Sequence, residues 1–264
     1  MKLPKIKLPK PKSHKGENGR LLIIAGSEKY HGSLLYAVKA ASRIVDLIYV
    51  LSSRENLKLI QKLRFGTAEF IPVPPNFHDR ESLVRAYDAV LIGPGMGVSR
   101  YTYNLVKKVL QSRVKVVLDA DALNVMDTQL KKLLHPNCIL TPHRGEFARL
   151  FRSTTELTIV KSMVLRYGCT ILLKSPDADV IASPGRKVYL NYTGNKGMTK
   201  GGTGDVLAGL VAGLFTKNDA HTSAIVGAYV NGKAGDDLYK KVGVYYDAED
   251  LVDQIPKTLW KAVK

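Results

Sequence analysis

From Arg20 to Lys174 the chain alternates short apolar runs with amphipathic stretches, and that alternation admits few folds. The apolar runs cover 20–25, 47–51, 89–92, 114–118, 138–140 and 170–174. Helical spacing marks 33–45, 54–63, 101–112, 145–151 and 155–167 between them. A strand that returns to the sheet through a helix comes back parallel to its predecessor, so the pattern predicts an α/β/α sandwich with a central, mostly parallel sheet. Two later runs, 180–182 and 187–190, read as an edge hairpin turning at Ser183-Pro184-Gly185. From Val206 onward the pattern is mostly helical, through 220–238 and 248–260.

In such a sheet, ligands bind beyond the carboxyl ends of the strands. Small or polar turns follow the predicted strands here: Gly26-Ser27 after the first, Gly93-Pro94-Gly95-Met96-Gly97, Asp119-Ala120-Asp121-Ala122-Leu123-Asn124, and Thr141-Pro142-His143-Arg144-Gly145-Glu146. Taken singly, each has an ordinary explanation as a turn or a helix cap. Their common position at one edge of the sheet predicts a single cleft.

The densest signal is Gly201-Gly202-Thr203-Gly204-Asp205, followed at once by the apolar run 206–215. Glycines let a backbone wrap an anion, and a helix start adds free N–H groups and a positive dipole end. Thr203 or Asp205 could serve simply as N-cap. An anion site would, however, repel Asp205 unless the carboxylate acts as base on a hydroxyl attacking phosphorus. No Gly-Lys-Ser or Gly-Lys-Thr stands at Walker spacing, and the glycines at 93, 95 and 97 are too closely spaced for a dinucleotide fingerprint.

A net charge of +17 raises nucleic-acid binding as an alternative. Much of it lies in a Pro-rich tail, where Lys2, Lys5, Lys7, Lys10, Lys12, Lys15 and Arg20 face only Glu17; residues 1–18 are expected not to pack, and 19–264 to form one domain. The remaining charge is dispersed without the aromatic interleaving of a single-strand binder, so no nucleic-acid partner is expected. No apolar run reaches membrane-span length and the start lacks a secretory apolar region, which predicts a cytoplasmic protein. Cys138 and Cys169 each open an apolar strand, as buried free thiols do.

Taken in order, Ser13-His14-Lys15-Gly16, Gly26 to Tyr30, Gly93 to Gly97, Asp119 to Asn124, Leu140 to Phe147, Leu173-Lys174 and Asn191 to Gly209 resemble the NAD(P)H-hydrate dehydratases of the ribokinase-like superfamily. The likeness runs from about Ser13 to about Tyr239. It implies that hydrated NADH or NADPH is restored by phosphorylation of its hydroxyl and loss of phosphate, with ADP or ATP as donor and Mg²⁺ as companion ion. ADP is favoured, since the compact chain resembles prokaryotic members, which typically use it. By position, Asp205 is implied as catalytic base, and Ser33, Gly97, His143 and Asp205 as lining the hydrated-cofactor pocket. The segment Lys174, Ser175, Pro176, Asp177, Ala178 is implied to hold the adenine nucleotide. Backbone N–H groups of Gly202, Thr203 and Gly204 would steady the transferred phosphoryl group, while the helix start keeps Asp205 ionised. Asn124 and Glu146 are implied as water-mediated contacts to Mg²⁺.

Ser33, Ser175 and Thr199 stand where the family usually has Ala, Gly and Ala. A homotetramer is implied, as is a separate or absent epimerase, since only about eighteen residues precede the dehydratase motifs. A small-molecule kinase of the same superfamily is the nearest alternative.

Overall fold

The computed structural model describes residues 3–62, 70–73 and 86–264. Its core is a sheet of nine strands among the described residues: β1 Arg20–Ile24, β2 Leu47–Leu51, β3 Ile71–Pro72, β4 Ala89–Ile92, β5 Val116–Leu118, β6 Cys138–Leu140, β7 Thr170–Leu173, β8 Asp179–Ala182 and β9 Tyr189–Asn191. They lie in the order β3-β2-β1-β4-β5-β6-β7-β8-β9. The first seven are parallel; β8 and β9 fold back antiparallel as the expected edge hairpin, with the second strand shifted to Tyr189–Asn191. The helix expected over 54–63 is Arg54–Lys62, and Leu63 lies outside the described residues.

Both faces of the sheet are covered, which explains why its strands are apolar throughout rather than alternating. Leu22, Ile24, Val90 and Ile92 pack under helices Arg100–Gln111, Arg144–Phe151 and Leu157–Tyr167. Leu21, Ile23, Leu91 and Val117 face helices His31–Ala41, Thr203–Phe215 and Ala220–Val242. Outside these, Leu251, Val252 and Ile255 of helix Ala248–Val263 close a third cluster with Val206, Leu210 and Val230. Helix Thr203–Phe215 is therefore enclosed all round, which accounts for its unbroken apolar run. Gly209 lets it approach helix His31–Ala41 closely: a Cβ there would sit 2.3 Å from the carbonyl oxygen of Ala37.

At the amino edge of the sheet the tail behaves differently from expectation. It packs. Ile6 lies against the third cluster, the Lys7 N–H donates to Asn218 Oδ1 (2.9 Å), and the Gly16 and Asn18 N–H groups donate to Asp46 Oδ2 (2.9 and 3.0 Å). Proline content suggested a segment without partners, but side chains distant in the chain supply them. Beside it, Lys115 closes the carboxyl end of helix Thr203–Phe215, its Nζ donating to the carbonyls of Phe215 and Asn218 (2.9 Å each).

Cys138 and Cys169 are buried free thiols, as read from the sequence, and burial pushes Cys138 up to about 12 and Cys169 up as well. Among the described residues no helix is long and apolar enough to cross a membrane.

Candidate active site

The turns after β1, β4, β5, β6 and β7 meet at the carboxyl edge of the sheet. The Gly26 N–H donates to Pro94 O (2.7 Å), joining the first turn to that after β4. The Lys174 N–H donates to Pro142 O (2.8 Å) and pairs the strand extension at Lys174 with His143. From the far side, the loop leading to the glycine-rich run is tied to helix Ala220–Val242: the Gly194 N–H and the Asn195 amide donate to the two carboxylate oxygens of Asp236 (3.2 and 3.0 Å). Tyr246 adds its hydroxyl to Asn195 Oδ1 (2.8 Å).

Helix Thr203–Phe215 begins at Gly202, whose φ of +92° is left-handed. A Cβ at this position would also press within 2.6 Å of the Tyr36 ring, so glycine is required twice over. Neither Thr203 nor Asp205 caps the helix. The Thr203 hydroxyl turns back to the carbonyls of Met198 (2.8 Å) and Lys200 (3.0 Å), and its N–H reaches Lys200 O only at 3.4 Å. Among the described residues no acceptor takes the N–H groups of Gly204 and Asp205. Free donors and the positive end of the helix dipole thus point out of the helix start together.

Asp205 stands in the first turn of this helix, with the Ser33 side chain near enough to favour its ionised form. The helix start was expected simply to keep it ionised. Burial, and then the neighbouring Asp119 carboxylate, instead push its carboxyl up to about 6, against the opposing pull of Ser33 and Lys174. It remains mostly ionised at neutral pH and is basic enough to take a proton.

The other predicted residues take distinct places at the carboxyl edge of the sheet. Ser33 is half-buried on helix His31–Ala41. Gly97 donates its N–H to Asp121 Oδ2 (2.7 Å), and nothing lies within 4 Å where a Cβ would project, so this turn presents an open face. His143 is the N-cap of helix Arg144–Phe151, its Nδ1 accepting from the N–H groups of Gly145 (3.0 Å) and Glu146 (3.3 Å), while Glu146 Oε2 accepts from the His143 N–H (2.8 Å). With Nδ1 so engaged, the neutral ring carries its proton on Nε2.

Lys174 is drawn inward. Its Nζ lies 3.0 Å from Asp119 Oδ1 and 3.8 Å from where a Cβ on Gly204 would stand. Burial alone would lower its ammonium pKa, but Asp119, Glu146 and Asp205 outweigh that and hold it above the ordinary lysine value. The rest of the segment forms a lip: the Ser175 N–H donates to Asp179 Oδ1 (3.1 Å), Pro176 and Asp177 are exposed, and Ala178 is half-exposed. Asn124 is engaged at both ends, donating to Asp121 Oδ1 (3.2 Å) and accepting from Arg149. Among the described residues no group of three His, Cys, Asp or Glu side chains could cage a metal.

Asp119, Asp121 and Asp236 were assigned no role from the sequence. The first two were findable, because they follow β5 directly. Asp236 is surrounded by ordinary helical sequence, and only the folded chain places it against the loop.

Residues 21–257 match the sequence model of the NAD(P)H-hydrate dehydratase family. A bifunctional NAD(P)H-hydrate repair enzyme Nnr of Methanocaldococcus jannaschii is 38% identical over 94% of this chain and 49% of its own length, so the chain spans about half of that relative. An ADP-dependent (S)-NAD(P)H-hydrate dehydratase of Nitrosopumilus maritimus is 36% identical over 93% of this chain and 90% of its own. Among solved structures, the ADP/ATP-dependent NAD(P)H-hydrate dehydratase of Bacillus subtilis, co-crystallised with ATP/Mg²⁺, superposes with a TM-score of 0.83 at 27% identity, covering 98% of this chain and 95% of that one. The ribokinase of Arabidopsis thaliana, 15% identical with a TM-score of 0.60 over 92% and 98% of the two chains, shares the fold alone. With this mostly parallel sheet and helix-start site, the chain is a ribokinase-like protein and belongs to the NAD(P)H-hydrate dehydratase family.

Proposed function

We propose that the protein dehydrates hydrated NADH and NADPH at the expense of ADP, with Asp205 as base. The observation that carries this reading is the pairing, in one helical turn, of a carboxylate whose pKa is raised to about 6 with the free N–H groups of Gly204 and Asp205. The ring hydroxyl loses its proton to Asp205 as its oxygen bonds to the terminal phosphorus of the nucleotide and the bridging P–O bond breaks. The helix-start N–H groups meet the charge that gathers on the phosphoryl oxygens. Loss of inorganic phosphate and a ring proton then restores the reduced cofactor.

In this reading Ser33, which stands near Asp205, lines the pocket of the hydrated ring together with Gly97 and His143, and the segment from Lys174 to Ala178 holds the nucleotide. No protein cage for a dication is present among the described residues, so the donor set fits Mg²⁺ held mainly by phosphate and water, with Glu146 and Asn124 reaching it through water. When bound, that ion would neutralise phosphate charge. We place the enzyme in the cytoplasm as a homotetramer.

The test is recovery of reduced-nicotinamide absorbance from the hydrate, with release of phosphate, using ADP and ATP in turn with Mg²⁺. A stable phosphorylated product would instead make the protein a kinase of the same superfamily.

A further inference from the structure

Two carboxylates and one ammonium meet beside the phosphate cradle, and their arrangement is not what binding an anion alone requires. Asp119 is 2% exposed at the end of β5, with its Oδ1 accepting from both the Thr141 hydroxyl (2.8 Å) and Lys174 Nζ (3.0 Å). A buried ion pair is seldom retained for stability, because an apolar pair of the same volume does as well or better. A fixed negative charge here also opposes the phosphate that the helix start invites. The next residue, Ala120, holds a positive φ of +47° without being glycine, a backbone strain directly beside Asp119. What Asp119 gains for the site is direction: the Lys174 side chain, which could extend to solvent, is folded back until its ammonium stands over Gly204.

We propose that Asp119 is a positioning residue that holds Lys174 Nζ at the mouth of the cradle, where the ammonium contacts the phosphoryl group in transit between nucleotide and hydroxyl. Lys174 is then a catalytic residue rather than only part of the adenine lip, and Asp119 acts through it. This rests on the dehydratase reading above and adds to it two residues with separate duties.

A double-mutant cycle separates direction from simple charge. If Asp119 only added negative potential, Asp119→Asn would tighten binding of the doubly phosphorylated nucleotide. If it aims Lys174, the same change weakens it. We expect Lys174→Met to lower kcat about 100-fold or more and Asp119→Asn to lower it about 10- to 100-fold, with KM for the hydrate little changed. In the Lys174→Met background, Asp119→Asn should cost far less, leaving only its direct effect on the basicity of Asp205. Calorimetric titration of ADP and AMP gives a readout independent of turnover: both single variants should weaken ADP about tenfold while leaving AMP, which lacks the transferred phosphoryl group, within about twofold. Lys174→Arg, which keeps a cation for Asp119 to hold, should retain more activity than Lys174→Met.

Equal cost of Asp119→Asn in both backgrounds, or tighter ADP binding by that variant, overturns the proposal. Should Asp119→Asn not fold, Thr141→Val loosens the same carboxylate and takes its place in the cycle. A wild-type protein that binds ADP but does not repair the hydrate would refute the dehydratase reading, while the ADP and AMP affinities would still decide whether Asp119 aims Lys174.

Discussion

Helix Thr203–Phe215 ends in opposite ways. At its carboxyl end Lys115 reaches into the last turn and bonds the carbonyls of Phe215 and Asn218, with the packed tail close by at Lys7 and Asn218. At its amino end there is no side-chain cap, the N–H groups of Gly204 and Asp205 have no acceptor among the described residues, and the Asp119 carboxylate is near enough to raise the pKa of Asp205. One end is satisfied by the protein; the other leaves its donors free among the described residues. Stability and reactivity are therefore separable along one element, and mutations at the two ends should fall into different classes.

The sharpest contrast is expected from Asp205→Asn, which should lower hydrate repair by about a thousandfold or more through loss of the base. An aspartate whose folded pKa is raised binds its proton more tightly in the folded than in the unfolded state. Its ionisation therefore lowers stability as pH rises through about 6. The asparagine variant should accordingly be more stable at pH 8, by on the order of 1–2 kcal/mol, as read by denaturant titration. A variant both inactive and destabilised would break the comparison.

At the other end, Lys115→Met should cost about 2–3 kcal/mol by leaving buried carbonyls without a donor, with kcat and KM near wild type. Loss of activity matching the loss of stability would show that the ends are not independent. The pH profile sharpens the amino end further. Because the base must be ionised, kcat/KM should fall about tenfold per unit below pH 6 and level off above it. A limb near pH 4 would mean that Asp119 and burial do not act on Asp205 as described.

The smallest effect is expected at Asp46. Burial pushes its carboxyl up, but hydrogen bonds from Asn18 and Gly16, with Lys217 nearby, hold it below the usual carboxylate value. Asp46→Ala should release the tail at a cost of about 1–2 kcal/mol, with hydrate repair unchanged in a direct assay.

How much of this was legible in sequence follows from the range over which each feature is encoded. The parallel sheet was readable because strand and helix periodicities alternate within tens of residues, and the strand-end turns because glycine and aspartate interrupt apolar runs. The two-residue β3 was not, since Ile71-Pro72 has no room for a period. Nor was the docking of the tail, whose partners Asp46 and Asn218 are set by the fold rather than by local composition. At the site, Asp205 announced itself through its glycines. The Lys174–Asp119 pair joins positions 55 residues apart, and nothing local to either marks the other.

The two buried cysteines give the site an experimental window. With Cys138 raised to about 12 and Cys169 also raised by burial, both thiols stay protonated and out of reach near neutral pH, so alkylating probes should pass them by. A single cysteine introduced at exposed Val98, beside the open turn at Gly97, would then be the one reactive thiol among the described residues. A fluorophore or spin label there could follow arrival of the hydrated cofactor in the otherwise native protein, with neither natural cysteine removed.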